Sequence, residues 1–333
     1  MIIVGMTDLA PAHAALTPAS SAALQGAVRL SDWGVIRAQG AEAASFLQGQ
    51  LTNDVVGLAP GQATLAGYCS VKGRLMASFI IWSPAPDEVL LACSADLLAP
   101  TLKRLSMFVL RAKCKLSDAS ADVALWGLAG QAAAEWLGER QPAAPWAMHA
   151  ASATEQMIRL PDAAGGLPRW LLAQPAGAAA PVLPALPPAS WQWLEAASGV
   201  VRIVAATADK FVPQMVNFEV VGGVNFKKGC YPGQEVVARS QYRGTLKRRA
   251  MLLALPATEP TMAAGQEVFH DSDPGQPAGL VALAGHGPDD AQLGLVEVKL
   301  ALAQGSGAFH LGAADGPALA LQPLPYPLPA DQG

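Results

Sequence analysis

At 333 residues, the chain has room for about two or three structural units with ample core. Its apolar residues are interrupted repeatedly by proline and glycine, and no apolar run reaches the roughly 18 residues of a transmembrane helix. The formal net charge is only −4, and the four cysteines are far apart. Such spacing favours reduced thiols over a disulfide framework. We therefore expect a cytoplasmic protein without a membrane span.

The N-terminal stretch, residues 1 to about 24, is rich in alanine, proline and serine and predicts a loose arm. No basic segment precedes an apolar one there, so we expect no secretory signal. The cysteines form no CxxC pair, and the five histidines have no HExxH spacing. We therefore expect no permanently bound metal.

The first half of the chain predicts strands mixed with helices. In chain order these are a strand over 31–37, a helix over 40–51, strands over 63–70, 75–83 and 88–93, a helix over 95–110, strands over 114–116 and 123–127, and a helix over 131–137. Hairpin-connected strands with helices on one face indicate an α+β fold rather than a parallel α/β sheet. No glycine-rich phosphate loop stands at a strand–helix junction, which disfavours nucleotide binding of those kinds.

The second half of the chain predicts proline-rich connections, then short strands and a helix, and finally strands alone. The stretches 141–151 and 174–189 are rich in proline and alanine, as is typical of connections. Strands are predicted at 157–160 and 169–172, and a helix over 190–197 with Ser190 as its N-cap. After Arg249 the pattern predicts only strands, at 250–255, 267–270, 279–284, 293–298 and 318–321. This part is typical of an antiparallel β-barrel or sandwich of about 80 residues.

The stretch 222–244 holds the most unusual pattern. An apolar strand loosened by glycine is predicted over 222–226, followed by a turn, and Pro232 fits the first position of a helix that Gly244 ends. Cys230 would then precede a helix N-terminus, beside Lys227 and Lys228. Backbone N–H groups and cations both favour a thiolate, so this pattern predicts a reactive cysteine. The alternative is a buried cysteine on a tight turn.

Charge is concentrated in two places. Seven basic residues and a single acidic one, Glu235, lie between Lys227 and Arg249. Glu235, Arg239 and Arg243 would share one helix face and pair in series. A second basic run consists of Lys103, Arg104, Arg111, Lys113 and Lys115. Such patches attract a polyglutamyl tail, a phosphate or nucleic acid, unless they are simply solvated surfaces.

The sequence Lys-Lys-Gly-Cys-Tyr-Pro-Gly-Gln-Glu at 227–235 resembles the site motif of the YgfZ family of folate-binding proteins. Those proteins are relatives of the glycine-cleavage aminomethyltransferase (T-protein) and are linked to iron–sulfur cluster assembly. Residues 40–55, 211–217 and 222–223 are similar to the same family. The resemblance implies an aminomethyltransferase-like multidomain fold, with an N-terminal α+β domain at 25–140, a middle α+β domain carrying the motif at 141–245, and a C-terminal β-barrel at 246–328.

The resemblance also implies a folate site with Cys230 exposed in a folate-sized hollow between the domains. Lys228 would hold the thiolate or contact the folate, and Glu235 would orient Arg239 or Lys228. Trp33 is the candidate stacking surface, although a tryptophan beside a strand is often part of the core. The candidate catalytic residues are Cys230 and Lys228, and the candidate folate-binding residues are Trp33, Gln50, Asn53, Lys227, Tyr231, Gln234, Glu235, Arg239 and Arg243.

The chain departs from the aminomethyltransferase pattern at two positions. Where those enzymes have an aspartate after the first hairpin turn, this sequence has Met76 or Ala77. Neither side chain can hold a proton, which disfavours aminomethyl transfer. The glutamate that grips the pterin in those enzymes falls near Ala197, with Glu195 two residues away.

The sequence therefore predicts a tetrahydrofolate-binding accessory protein that supports iron–sulfur cluster assembly or repair and, through it, tRNA modification. Cys230 would act as a nucleophile, a transient ligand of iron or a cluster, or a redox sensor, and the resemblance favours the last two. The expected partners are folate, the iron–sulfur assembly machinery or its client enzymes, and tRNA indirectly. The alternatives are a tetrahydrofolate-dependent aminomethyltransferase or demethylase and an RNA-binding module.

Overall fold

The computed structural model describes residues 22–243, 246–256 and 260–329. The arm predicted for residues 1 to about 24 lies almost entirely outside these ranges, as does Gly244, the predicted helix end. In the described part, no helix has both the length and the apolar character needed to cross a membrane.

Strands dominate the structure. They are β1 (Gly26–Arg29), β2 (Trp33–Gln39), β3 (Ala63–Cys69), β4 (Leu75–Ala85), β5 (Glu88–Ser94), β6 (Lys115–Asp118), β7 (Val123–Ala129), β8 (Met148–Ser152), β9 (Glu155–Ala163), β10 (Leu167–Pro175), β11 (Arg248–Leu255), β12 (Glu267–His270), β13 (Gly279–His286), β14 (Gln292–Lys299), β15 (Phe309–Leu311) and β16 (Ala318–Gln322). The helices are α1 (Ala43–Gln48), α2 (Ala95–Ser106), α3 (Gly130–Leu137), α4 (Pro188–Ala197), α5 (Gln234–Tyr242) and α6 (Leu300–Ala303).

These strands form two five-stranded sheets and a closed barrel. The first sheet has the order β3-β4-β5-β2-β6, the second β1-β7-β10-β9-β8, and the barrel β11-β14-β13-β12-β15-β16. Neighbouring strands are antiparallel, as in the β4–β5 and β9–β10 pairs. The predicted α+β class and the C-terminal antiparallel barrel are therefore confirmed. The second sheet takes strands from both sides of residue 140, and the domain bounds stay a prediction.

Several elements differ from the sequence predictions. Residues 222–226 form turns and irregular backbone instead of a strand, and α1 and α2 are shorter than predicted. Helix α4 begins at Pro188 rather than after Ser190, because proline is accommodated in the first turn of a helix. In the barrel part, the short strand β15 and the short helix α6 were not predicted. In the second sheet, strands β1 and β8 were not predicted, and both lie at its edges, where pairing with β7 and β9 defines them more than their own composition does.

Helix α4 lies between the second sheet and the barrel. A Cβ atom on Gly127 of β7 would lie 2.6 Å from the Trp191 ring. A Cβ atom on Gly285 of β13 would lie 2.1 Å from the backbone nitrogen of Trp193. These two glycines therefore let both faces of the helix approach their neighbours closely. This contact places the C-terminal half of α4, with Glu195, inside the molecule, where it is buried.

Candidate functional site

The loop that carries Cys230 is set by a close contact between two glycines. Gly233, with φ 77°, is the N-cap of α5, so Pro232 lies before the helix and its predicted place at the first helical position is wrong. A Cβ atom on Gly233 would lie 2.3 Å from Ser70 O and 2.7 Å from the Gly73 Cα. The helix therefore starts where the β3–β4 turn meets the loop, and only glycine fits there.

Replacing Gly233 with alanine should destabilise the protein by about 1–3 kcal/mol, because the new Cβ meets backbone and the residue must keep a left-handed conformation. Gly229 in the same loop is the matched control, since no described atom lies within 4 Å of its would-be Cβ. Gly229→Ala should change stability by no more than about 0.5 kcal/mol. Urea unfolding of both variants measures the difference, and equal stabilities would contradict this account of the loop.

Cys230 differs from the other three cysteines in its exposure. All four lie in the described part of the chain, and Cys230 alone is exposed. Burial raises the pKa of the Cys69 and Cys93 thiols to about 12, and it also raises the pKa of Cys114. Cys230 is therefore the thiol that a partner or a solute can reach.

Lys228 is turned toward the end of α1. Its Nζ donates hydrogen bonds to the carbonyl oxygens of Gln48 and, at 2.6 Å, Leu51. It also lies 5.1 Å from the centre of the Tyr231 ring. Burial lowers the pKa of Lys228 to about 8, opposed in part by Asp54 and Cys230. Lys228 therefore links the motif to the C-terminal end of α1 by hydrogen bonds. Its role in holding the thiolate or contacting the folate remains a prediction.

The pKa of Lys228 gives a pH dependence with a definite sign. The folded-state pKa is about 8 and the ordinary value is 10.5, so the unfolded chain binds more protons between these values. The contribution of Lys228 to stability therefore rises with pH across this window. Urea unfolding at neutral pH and near pH 10 should show the wild type gaining stability relative to Lys228→Gln. Lys227→Gln, at the exposed neighbouring residue, is the control. If the wild type gains as much stability relative to Lys227→Gln as relative to Lys228→Gln, the pH dependence does not come from Lys228.

Asn53 also links the segment that follows α1 to the segment that leads into the 227–235 motif. Its Nδ2 lies 2.7 Å from both Leu65 O and Gly222 O, and Thr52 Oγ1 donates to Gly223 O at 2.6 Å. Asn53 is buried, and its Nδ2 also lies 2.8 Å from Thr64 Oγ1, so the side chain is committed to acceptors within the protein. Together with Lys228, these bonds fix the loop against the segment that follows α1.

The other candidate residues divide into buried and exposed groups. Tyr231 is buried, and burial raises its pKa. Gln50 is partly buried, and its Oε1 has no hydrogen-bond partner among the described residues. Gln234 is partly exposed, whereas four charged side chains are exposed: Lys227, Glu235, Arg239 and Arg243.

The charges of this region differ from the sequence expectation. Within the described ranges, Glu235, Arg239 and Arg243 form no ion pair, so the predicted series is absent there; long exposed side chains gain little from such pairing. Arg248 instead pairs with Glu297 and Arg249 with Glu219. The excess of positive charge is therefore smaller than the sequence suggests.

A cavity of about 40 Å³ lies elsewhere, between the first sheet, the second sheet and α4. This is room for a few water molecules. Its walls include Trp33, Trp191, Glu195 and Arg202, and no residue of the 227–243 segment is among them. Cys230 is exposed as expected, but it does not line this cavity.

A buried ion pair dominates one wall of the cavity. Arg202 donates from Nε to Glu195 Oε1 at 3.1 Å and from Nη2 to Glu195 Oε2 at 3.0 Å. The same guanidinium pairs with Asp32 at 2.7 Å and lies 4.9 Å from the centre of the Trp33 ring. Burial lowers the pKa of Arg202, but the two carboxylates outweigh it and the net shift is upward. Each Glu195 oxygen accepts one hydrogen bond from Arg202, and a carboxylate oxygen has room for a second.

The lining of the cavity also includes donors without matching acceptors among the described residues. Arg169 is buried, donates to Pro161 O at 3.0 and 3.2 Å, and forms no ion pair among the described residues. Burial lowers its pKa to about 10. The indole Nε1 atoms of Trp33 and Trp191 are buried and have no partner in the described part. The cavity therefore combines aromatic surface, a carboxylate and unused donors.

The sequence pointed to this cavity only through Trp33 and, by alignment, Glu195 or Ala197. Ala197 is fully buried and carries no polar group, so Glu195 is the acidic residue at this place. Arg169 and Arg202 were missed. One signal was available for Arg202: Glu195 is the sole charged residue in an apolar helix, and a basic residue follows it seven positions later.

The architecture defines the class of protein. The chain matches the crystal structure of glycine cleavage system aminomethyltransferase T from Bartonella henselae with a TM-score of 0.71 over 92% of this chain and 88% of that one, at 18% identity. The fold is therefore aminomethyltransferase-like, as predicted. No family model matches the chain.

Curated relatives place the chain more narrowly. It is 31% identical over 309 residues to the tRNA-modifying protein YgfZ of Photorhabdus laumondii, covering 90% of this chain and 92% of the relative. It is 37% identical over 235 residues to that of Edwardsiella ictaluri, covering 66% and 68%. The chain belongs to the YgfZ family, and the resemblance seen at 227–235 is confirmed.

Proposed function

We propose that this protein binds tetrahydrofolate and acts as an accessory factor in iron–sulfur cluster assembly or repair, and through it in tRNA modification. The observation that carries the proposal is the cavity with Glu195, Arg202 and Trp33. The pterin ring of folate presents N–H donors, which a buried carboxylate accepts. Each Glu195 oxygen has a second acceptor position beside its bond to Arg202, so the carboxylate accepts such a donor, and the tryptophans supply stacking surface.

The unused donors support the same ligand. A buried donor without an acceptor is costly, and Trp33 Nε1 and Trp191 Nε1 have none among the residues that the structure describes. The carbonyl and ring nitrogens of a pterin provide acceptors for them and for Arg169. Because the cavity measures only about 40 Å³, a bicyclic ring enters only if the walls move apart. Bound tetrahydrofolate would supply one-carbon chemistry or act as a regulator.

Aminomethyl transfer is the weaker candidate. Met76 lines a different groove, and Ala77 is fully buried. Neither of them offers the carboxylate that the transferases use, and the nearby Ser78 Oγ accepts a hydrogen bond from Ile203 N at 2.9 Å. The proposed role is therefore binding rather than classical transfer, in the cytoplasm. Exposed Cys230 would meet iron, a cluster or an oxidant carried by the assembly machinery or a client enzyme.

Anaerobic titration calorimetry with tetrahydrofolate tests the proposal. We expect saturable binding with one site per chain, accompanied by a change in tryptophan fluorescence, because Trp33 and Trp191 line the cavity. An aminomethyl donor added to the complex should release no one-carbon unit at an enzymatic rate. Absence of both heat and fluorescence change would refute the folate proposal, and rapid turnover would establish the transferase instead.

A further inference from the structure

A second concave surface shares no lining residue with the cavity or with the 227–243 segment. It is a groove of about 470 Å³ between α2 and the β3–β4 hairpin, within the range of about 300–1,000 Å³ typical of binding pockets. Its lining is mostly apolar and includes Met76, Leu97, Met107 and Phe108. Tyr68 OH, at one side, already accepts a hydrogen bond from Arg104 Nε at 3.2 Å. The groove therefore offers apolar contact and few polar groups.

Large apolar side chains are exposed at the lip of this groove and just beyond it. Met107 is 66% exposed, Phe108 47% and Leu110 86%. Methionine is flexible and polarisable, so it suits surfaces that accept apolar groups of varied shape. Three such residues within four positions, beside an apolar groove, are typical of an interaction site rather than of scattered surface residues.

The charged residues of the segment 97–117 are all basic. Five exposed cations follow each other on this segment, and within the described ranges none of them forms an ion pair: Lys103, Arg104, Arg111, Lys113 and Lys115. No acidic residue occurs between 97 and 117. The Glu42 carboxylate is nearby, where it accepts a hydrogen bond from Lys113 N at 2.7 Å. On a chain of net charge −4, this local excess attracts an acidic partner.

We propose that this groove is the docking site of an acidic protein segment, which inserts leucine, methionine or phenylalanine side chains between α2 and the hairpin. Its carboxylates would meet Lys103 and Arg104, which line the groove, and then the three further cations of the same segment. A nucleobase fits less well, because its polar edge would be buried against Met76, Leu97 and Met107 without hydrogen-bond partners. A lipid surface fits less well too, because it cannot reach the floor of a groove. The inference does not depend on folate binding at the other cavity.

Selection of a random-peptide phage library on the full-length protein tests the proposal. The enriched peptides should carry apolar anchors flanked by aspartate or glutamate. Synthetic copies, labelled with fluorescein, should lose at least about tenfold in affinity for Phe108→Ser and for Lys103→Glu/Arg104→Glu. Val182→Ser is the matched control, since Val182 is 87% exposed on another loop, and it should bind as the wild type does.

Other outcomes overturn the proposal. These are basic or unrelated enriched sequences, no enrichment, or binding that survives both groove variants. A single-stranded uridine oligonucleotide and vesicles containing phosphatidylglycerol are run beside the peptides, and tighter binding to either than to the peptides would also overturn it. Circular dichroism confirms that the variants are folded. Tetrahydrofolate titration of Phe108→Ser should match the wild type, which separates this site from the cavity.

Discussion

Replacing Glu195 with glutamine is expected to weaken tetrahydrofolate binding by about 100-fold or more, because a site built to pair buried polar groups discriminates strongly when one partner is lost. The amide would turn a donor toward the N–H groups of the pterin and keep only one acceptor. Titration calorimetry measures the change. Glu135→Gln, an exposed carboxylate on α3, is the matched control and should bind like the wild type.

Glu195→Gln should also lower the free energy of unfolding, and the size of that decrease is informative. Breaking a buried ion pair typically costs about 3–5 kcal/mol. Here Asp32 still pairs with Arg202 at 2.7 Å, so we expect about 2–3 kcal/mol. The affinity is therefore measured well below the unfolding transition. Unchanged tetrahydrofolate affinity in folded Glu195→Gln would remove Glu195 from the site.

Cys230→Ala is expected to abolish function without disturbing the fold. The side chain is exposed, so its loss should change stability by no more than about 0.5 kcal/mol. In a bacterium that lacks its own YgfZ, wild-type protein should restore the modified nucleosides of tRNA, and the variant should not. Mass spectrometry of tRNA hydrolysates provides the measurement.

Cys114→Ala is the control for that experiment, because it removes a half-buried thiol from another part of the chain. It should restore the modified nucleosides as the wild type does. Full restoration by Cys230→Ala would contradict a chemical role for the exposed sulfur. Equal failure of both variants, with both folded, would mean that the assay does not report on Cys230.

Local patterns were enough to predict much of the fold. Alternation and turn residues predict the hairpins β3–β4 and β4–β5 and five of the six barrel strands described, all but the three-residue β15. The family also follows from nine consecutive residues, 227–235. What these signals share is that they are local in sequence: a turn, a strand period or a motif needs no knowledge of distant residues.

The features that were missed depend on distant contacts. Arg202 meets Asp32 across 170 positions, and Lys228 reaches the carbonyl of Gln48 across 180. The start of α5 was misplaced because the conformation of Gly233 is imposed by the β3–β4 turn and not by Pro232 beside it. Burial of a charge is a property of the assembled molecule, so the cavity emerged only with the fold.

Hydrogen–deuterium exchange with and without tetrahydrofolate tests the central claim most directly. Helix α4 and the backbone around Trp33 and Arg202 should exchange more slowly in the complex, since the ligand would close the cavity that they line. Protection confined to the 227–243 segment, or no protection anywhere, would contradict the assignment of this cavity as the folate site.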